Sequence, residues 1–406
     1  MDMLLNTLLS FYRANNNENT NFRLLLLKIV TVTGLLSSFL LCIPLWTHVR
    51  IFPRAPVFEG LTVSPILETL LFIMLLCTLT AVLFNLKLQR GVFLSIFIVV
   101  LLGVLDQMRF QPWVYFYFAF LLLIGLSMGK WSTKAKQEEI LNTARLMIGS
   151  IYFFSGLQKL NPAFFNEIYP WMVEPIITLF PPSVQFFALS LGYFVPILEI
   201  GIGLCLLIPK YRIVGIFGSL AMLAFVLFTI GPLGHNWNSV VWPWNIAIVL
   251  MVVILFHHTK TCSVKEIIST KNQILKKGVI VVFVILPFFS FLGLWDSYPS
   301  WSLYSGNITH AVVEVESSSG AILPPTAQLY LQADTVGDME LNILAWANDE
   351  INVPIYPETR VFKRIVSDLC ANANEKNAYI LTVYERPLLF QKWTSTKYLC
   401  MDLLKK

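Results

Sequence analysis

Arg145-Leu-Met-Ile-Gly-Ser-Ile-Tyr-Phe-Phe-Ser-Gly-Leu-Gln-Lys159-Leu160 is a hydrophobic stretch that closes on a lysine. Tyr152, Ser155 and Gly156 stand seven, four and three residues before Lys159, so at helical spacing the four share one face. A lysine above a stripe of hydroxyls and glycine belongs over the inside of a bundle or a cavity rather than against lipid chains. Held there, it is costly to desolvate and is a candidate base. The plainer alternative is that Lys159 snorkels its ammonium to the headgroups. Either way the stretch reads as a membrane-spanning helix, and the rest of the chain is read outward from it.

The 406 residues are 56% hydrophobic and only 13% charged, which excludes a soluble globular class. Hydrophobic stretches of spanning length recur at Leu24–Leu45, Pro65–Leu86, Gly91–Leu105, Pro112–Met128, Thr143–Leu160, Val184–Ile208, Ile213–Ile230, Val240–Phe256 and Gly278–Trp295. The first follows the polar run Asn15–Asn21 and lacks a small-residue cleavage pattern, so it reads as a retained helix. With a cytoplasmic N-terminus and nine spans, the cytoplasmic segments hold Arg13, Arg23, Lys28, Lys87, Arg90, Lys130, Lys134, Lys136, Arg145, Lys210, Arg212, Lys260, Lys265, Lys271, Lys276 and Lys277. The short outer loops hold Arg50, Arg54, Arg109 and Lys159. The asymmetry places the N-terminus inside and the C-terminus outside a cell membrane. A net charge of +5 without a basic, aromatic-interleaved stripe excludes nucleic acid as a partner.

Beyond Trp295 the composition turns mixed and charged, dividing the chain into a bundle over 1–296 and a small extracytoplasmic α+β domain over 297–406. Val312–Val315, Ala378–Tyr384 and Lys397–Leu403 read as strands. Glu358–Asn372 reads as a helix, with Pro357 at its start and Val361, Ile365 and Leu369 along one face. Cys370 and Cys400 lie where a disulfide is permitted and are expected to pair, the alternative being two buried thiols. Cys42, Cys77, Cys205 and Cys262 show no metal-ligand spacing. Asn307-Ile-Thr309 matches a glycosylation sequon. Asn161–Ser183, broken by five prolines yet rich in apolar residues, reads as a re-entrant or interfacial lid.

On this topology the polar clusters collect at the outer end of the bundle: Asp106, Gln107, Arg109 and Gln111; Gln158, Lys159 and Asn161; and His235, Asn236, Asn238 and Ser239, followed by Trp242, Trp244 and Asn245. His235, Asn238, Ser239 and Trp242 stand at i, i+3, i+4 and i+7, so a helical turn would present them together. Each cluster alone could be an interfacial loop with a Trp belt; their convergence argues for a pocket opening outward. Glu199 sits midway through the sixth span, flanked at helical spacing by Gly192, Pro196 and Gly203, a small-residue face suited to close helix packing. An ionisable group at that depth is either functional or a protonated structural hydrogen bonder. A rise of about 1.5 Å per residue sets it well below the outer boundary, so a direct pair with Lys159 is left open.

Ile151-Tyr-Phe-Phe-Ser-Gly-Leu-Gln-Lys159-Leu-Asn resembles the segment that carries the catalytic lysine in vitamin K-dependent γ-glutamyl carboxylase and its relatives with a horizontally transferred transmembrane (HTTM) domain. His235-Asn-Trp-Asn238-Ser239 is similar to that family's His-x-x-Asn-Ser segment, and Leu105-Asp106 to a third shared block. The resemblance spans roughly residues 20–295 and implies that Lys159 is the base that generates a reactive hydroquinone species at the lumenal side. Where the family has an Asn-Asn-His run, this chain has Gln111-Pro112-Trp113, and the long lumenal substrate-recognition region has no counterpart. A second resemblance covers residues 143–258. Gly156-Leu-Gln-Lys-Leu-Asn-Pro162, Glu199-Ile-Gly-Ile-Gly203 and Pro209-Lys-Tyr-Arg212 are similar to the four-helix module of DoxX/MauE-type proteins, which implies a quinone-linked or thiol-linked redox step.

Two expectations follow. The first is an enzyme with Lys159 as base, His235 and Asn238 orienting or stabilising a bound quinol, and Tyr152, Glu199, Trp242 and Trp244, with Phe154, around its ring. Its cofactor would be a quinone or hydroquinone, its surroundings membrane lipid, and it would hold no metal. The second is a non-catalytic membrane scaffold or binding protein whose outer domain contacts a protein partner.

Overall fold

Long apolar runs satisfy their backbone in lipid only as helices, and each of the nine stretches is helical in the computed structural model of the chain. It describes residues 20–404 except 62, 87, 128–132, 258–262, 270–273, 317–322, 334–338, 374–377 and 389–391. Arg13, Lys87, Lys130, Lys260 and Lys271 of the charge argument, and Cys262, lie outside the described residues.

The helices are α1 (Thr20–Leu41), α2 (Pro65–Leu83), α3 (Leu88–Leu105), α4 (Pro112–Ser127), α5 (Lys134–Gln158), a short α6 (Tyr169–Ile177), α7 (Pro182–Leu207), α8 (Arg212–Ile230), α9 (Val241–Phe256) and α10 (Ile274–Leu292). Seven are long and apolar enough to cross a bilayer. The expected fourth and eighth spans, α4 and α9, have 16 residues each. That is about 24 Å of helix against about 30 Å of hydrocarbon. Both are buried along most of their length, so protein rather than lipid surrounds them. Between α5 and α7 the proline-broken segment folds as a π turn at Phe164–Ile168 followed by α6.

Basic residues at the end of the bundle where α1 begins do more than set a charge asymmetry. Arg23 donates to the carbonyls of Ile254 and His257, Lys28 to that of Leu83 (3.0 Å), Arg145 to that of Leu255 (2.8 Å), and Arg212 to that of Leu206 (3.2 Å). These carbonyls belong to the last turns of helices or lie just beyond them, where no intrahelical donor reaches.

The helices alternate in direction, which brings the C-terminal residues to the opposite end. There β1 (His310–Val315), β2 (Leu331–Ala333), β3 (Met339–Leu341), β4 (Tyr379–Glu385) and β5 (Thr394–Leu399) form an antiparallel sheet in the order β2-β3-β1-β4-β5. Two helices complete this α+β domain: α11 (Ile343–Ile351), and α12 (Thr359–Ala371), whose Val361, Ile365 and Leu369 are buried as the spacing predicts. The expected strand Lys397–Leu403 is half strand and half helix: β5 ends at Leu399 and Cys400–Leu403 turns helical, with Asp402 in its first turn. Asn307 of the sequon is buried, and its Nδ2 donates to Gln158 Oε1 at 2.7 Å, an arrangement that leaves no room for a glycan.

Cys370 and Cys400 form a disulfide between the end of α12 and the residue after β5, closing a separation of 30 residues. A loop of that length corresponds to about 3–4 kcal/mol in the chain-entropy account. The Cys370→Ser/Cys400→Ser double variant is accordingly expected to unfold at lower temperature in detergent. A melting profile that matches the unmodified protein would contradict it.

Candidate functional site

Two glycines decide how closely α5 and α7 approach. A Cβ on Gly156 would lie 2.6 Å from the Pro196 carbonyl oxygen, and one on Gly203 would lie 2.6 Å from that of Gly149. Backbone cannot yield as a flexible side chain can, so the helices cross in backbone contact only because neither position has a side chain. That crossing carries Glu199 against α5. Lys159, the residue that caps α5, folds its stem back one turn toward the N-terminus, as long side chains on helices do. Its Nζ donates to Ser155 Oγ at 2.7 Å, to the Ser155 carbonyl at 3.3 Å and to Glu199 Oε2 at 2.8 Å. All three donors of the ammonium are therefore used. Both side chains of the pair are 8% exposed, so the lysine faces the bundle and does not snorkel. The pairing left open by the helical rise is made, because the lysine reaches down to the carboxylate. One turn deeper, Tyr152 OH meets Ser219 Oγ of α8 at 2.6 Å.

Tyr152, Ser155, Lys159 and Glu199 form the polar end of a cavity of about 110 Å3 among α5, α7, α8 and α9. Met222, Val241 and Ile248 give it apolar walls, Phe164, Tyr169 and Met172 enter from the lid segment, and Trp244 and Asn245 enter from α9. Trp301, Leu303 and Tyr304, from the segment leading to β1, close it on the side of the C-terminal domain. Trp244 Nε1 and Trp301 Nε1 are buried without a hydrogen-bond partner among the described residues.

Of the residues singled out from sequence, Lys159, Tyr152, Glu199 and Trp244 line this cavity. Asn238 reaches it through a neighbour: its Nδ2 donates to Tyr304 OH at 3.0 Å, while its Oδ1 is buried without a partner among the described residues. Burial pushes the Tyr304 phenol above its usual range. The ring is thus neutral, and its own O–H remains to donate. His235, Trp242 and Phe154 stand outside the lining. The His235 ring stacks on Trp171 at 4.3 Å between centroids, and its Nε2 meets the Trp171 carbonyl at 2.5 Å. A carbonyl only accepts, so Nε2 carries the proton and is committed to holding α6 against the α8–α9 loop. That loop is not helical. Asn236 and Asn238 take left-handed φ of 50° and 48°, which breaks the spacing that would have put His235 and Trp242 on one face.

Some members of the other polar clusters seat the C-terminal domain, and the rest pair within the bundle. Gln111 Nε2 donates to the Pro354 carbonyl at 3.0 Å, and Arg360 Nε donates to Gln107 Oε1 at 2.7 Å. Asp106 binds Arg50 at 2.5 Å, and Arg109 binds Glu68. Gln158 Nε2 donates to Ser290 Oγ at 2.8 Å, and Asn161 Nδ2 to the Ser305 carbonyl at 2.8 Å. Sequence reading missed Ser219, Trp301 and Tyr304. Ser219 offered a faint signal as one of two hydroxyls, with Thr229, in the apolar run of α8; the other two lie in a linker with no pattern.

The family model described as methylamine utilisation protein MauE matches residues 137–240. No curated protein and no solved structure matches the chain. The matched residues run from α5 through α8 to the loop before α9, and Tyr152, Ser155, Lys159, Glu199 and Ser219 all fall within them, so the polar end of the cavity belongs to a MauE-like membrane core.

Proposed function

We propose that this chain is a redox-associated, multi-pass membrane component whose MauE-like core binds the ring of a lipophilic quinone or hydroquinone beside Lys159 and Glu199. The family match supports the redox association. The observation that carries the ligand is a buried ion pair at one end of an otherwise apolar cavity. A cavity of about 150 Å3 accepts a benzene ring; this space, at about 110 Å3, is smaller, and a single ring enters it only as wall side chains move outward. Two of the tryptophans that line it, Trp244 and Trp301, have indole N–H groups without a partner among the described residues, donors that small ring movements would offer to the oxygens of such a ring.

Bound there, a hydroquinone supplies an acidic hydroxyl and a reservoir of two electrons. The Glu199 carboxylate is the group placed to accept that hydroxyl's proton, and the Lys159 ammonium is placed to stabilise the negative charge left on oxygen. The base is therefore the pair rather than the lysine alone: a neutral Lys159 arises only after its proton has passed to Glu199 Oε2, 2.8 Å from Nζ. Tyr304 O–H, oriented by Asn238, is a third donor at the cavity wall. The carboxylase-like reading would use the same lysine. It finds less support, because Gln111, at the position of that family's histidine run, is committed to the carbonyls of Met108 and Pro354. We place the division between bundle and domain at 296/297, with the N-terminus cytoplasmic. The charge asymmetry supports that orientation, as does a disulfide at the other end of the bundle, where an extracytoplasmic compartment permits it.

The full chain, extracted in mild detergent, is expected to carry quinone visible by its ultraviolet absorbance and its loss on reduction. Lys159→Met is expected to lower occupancy about tenfold or more, since it removes the positive charge at the polar end of a dry site and leaves the Glu199 carboxylate there without its partner. Absence of both co-purified quinone and saturable binding of added quinone would overturn the proposal.

A further inference from the structure

The cavity does not end at its apolar wall. On the far side of Tyr169, Val195, Met222 and Phe225 lies a second, larger space of about 590 Å3, and these four side chains line both. It is a groove between α7 and α8, almost wholly apolar, walled by Phe194, Leu198 and Val214. Its width comes from small residues: Gly201 and Gly218 face it, and a Cβ on Gly201 would meet nothing within 4 Å. Phe194, Leu198 and Val214 are 57–59% exposed, on two helices of spanning length and hydropathy, so the groove opens to lipid. The side of the cavity toward the C-terminal domain is by contrast closed over by Trp301, Leu303 and Tyr304.

We infer that the ligand reaches the Lys159–Glu199 pair sideways from the bilayer and that the α7–α8 groove holds its isoprenoid tail. The inference rests on the quinone reading of the cavity and adds to it the substrate class: a long-tailed, membrane-resident quinone rather than a water-soluble one. Continuity makes the groove a tail site rather than a separate lipid site. The two spaces share four residues, and the smaller one ends on the Lys159–Glu199 ion pair, which a hydrocarbon tail cannot use. Tyr169 and Phe225, stacked at 6.4 Å between centroids, form the gate between the two spaces.

The test compares two probes on the full chain in detergent: one benzoquinone ring without a tail, and the same ring with several isoprene units. The tailed compound is expected to bind at least about tenfold more tightly, because each CH2 buried in the groove multiplies affinity about fourfold. Gly201→Trp, placed where its Cβ has open space, is expected to abolish that advantage while leaving the tail-less ring's affinity unchanged. Lys159→Met is expected to weaken both. Equal affinities for the two compounds, unmoved by Gly201→Trp, would overturn the tail site and leave the cavity reading standing. Failure of both compounds to bind would overturn the cavity reading, and the tail site with it.

Discussion

Lys159→Ala is expected to destabilise the bundle by about 3–5 kcal/mol, and the Lys159→Met/Glu199→Leu double variant to recover most of that loss. Removing the lysine strands the Glu199 carboxylate at 8% exposure, with its ammonium partner gone. It must then stay charged in a poor solvent or take up a proton, and either is costly. Replacing both partners with apolar chains of similar volume removes the problem, since the pair's own desolvation roughly offsets its attraction. Thermal unfolding of the three proteins in one detergent measures this directly. The double variant also separates structure from chemistry. It is expected to melt like the unmodified chain yet bind quinone about tenfold or more weakly. A double variant that binds quinone normally would reduce the pair to a packing device and overturn the proposed function. A single variant as stable as the parent would mean that Lys159 does not bear on the fold at all.

How far this site can be read from sequence depends on how local each part is. Tyr152, Ser155 and Lys159 share one helix, so a 3.6-residue period suffices to put them together. Glu199 announces itself as an ionisable group in an apolar span, but its meeting with Lys159 is set by a crossing 40 residues away. That crossing depends on Gly149, Gly156 and Gly203 all lacking side chains on facing surfaces. Glycines at helical spacing hint at close packing without saying against what. His235 and Trp242 illustrate the opposite error. Their spacing has meaning only on a continuous helix, and the loop that carries His235 up to the helix of Trp242 contains Gly231, Pro232 and Gly234, with two left-handed asparagines after them. Trp301 and Tyr304 were beyond reach, because nothing in a linker's composition tells which cavity it will close.

The fold divides in the same way. Spans are legible because bilayer thickness and backbone hydrogen bonding together leave helices as the only solution for such runs. Helix α12 is legible because Val361, Ile365 and Leu369 repeat at the period of a face that packs on a sheet. Short β2 and β3, three residues each, carry too little alternation to stand out, and α11 hides in a stretch that mixes polar and apolar residues. The polar clusters at this end were visible as unusual, yet their partners were not. A buried Gln or Arg reads the same whether it faces a ligand or a docked domain.

Glu68→Ala should show the largest effect outside the cavity, again about 3–5 kcal/mol, and it tests whether those clusters bear the domain. Glu68 and Arg109 pair with side chains 1% and 0% exposed, beside Arg50 and Asp106 at 1% and 0%. Arg109 also donates through Nε and Nη1 to the carbonyls of Leu45 and Leu102, both at 2.9 Å, so with Glu68 gone the guanidinium is held by backbone and keeps no carboxylate hydrogen-bonded to it. Asp106, committed to Arg50 and to the backbone N–H groups of Ala55 and Met108, cannot turn to it. The outer partner behaves differently. Arg54 lies 2.7 Å from Glu68 but is 34% exposed, so Arg54→Ala should cost less than about 1 kcal/mol. None of these residues lines the cavity at the Lys159–Glu199 pair. At temperatures where Glu68→Ala remains folded, its affinity for a tailed quinone should therefore match that of the unmodified chain, while its unfolding temperature falls well below that of Arg54→Ala. Equal melting of the two variants would mean that the buried carboxylate is not what holds the loops, and with them the seat of the C-terminal domain, in place.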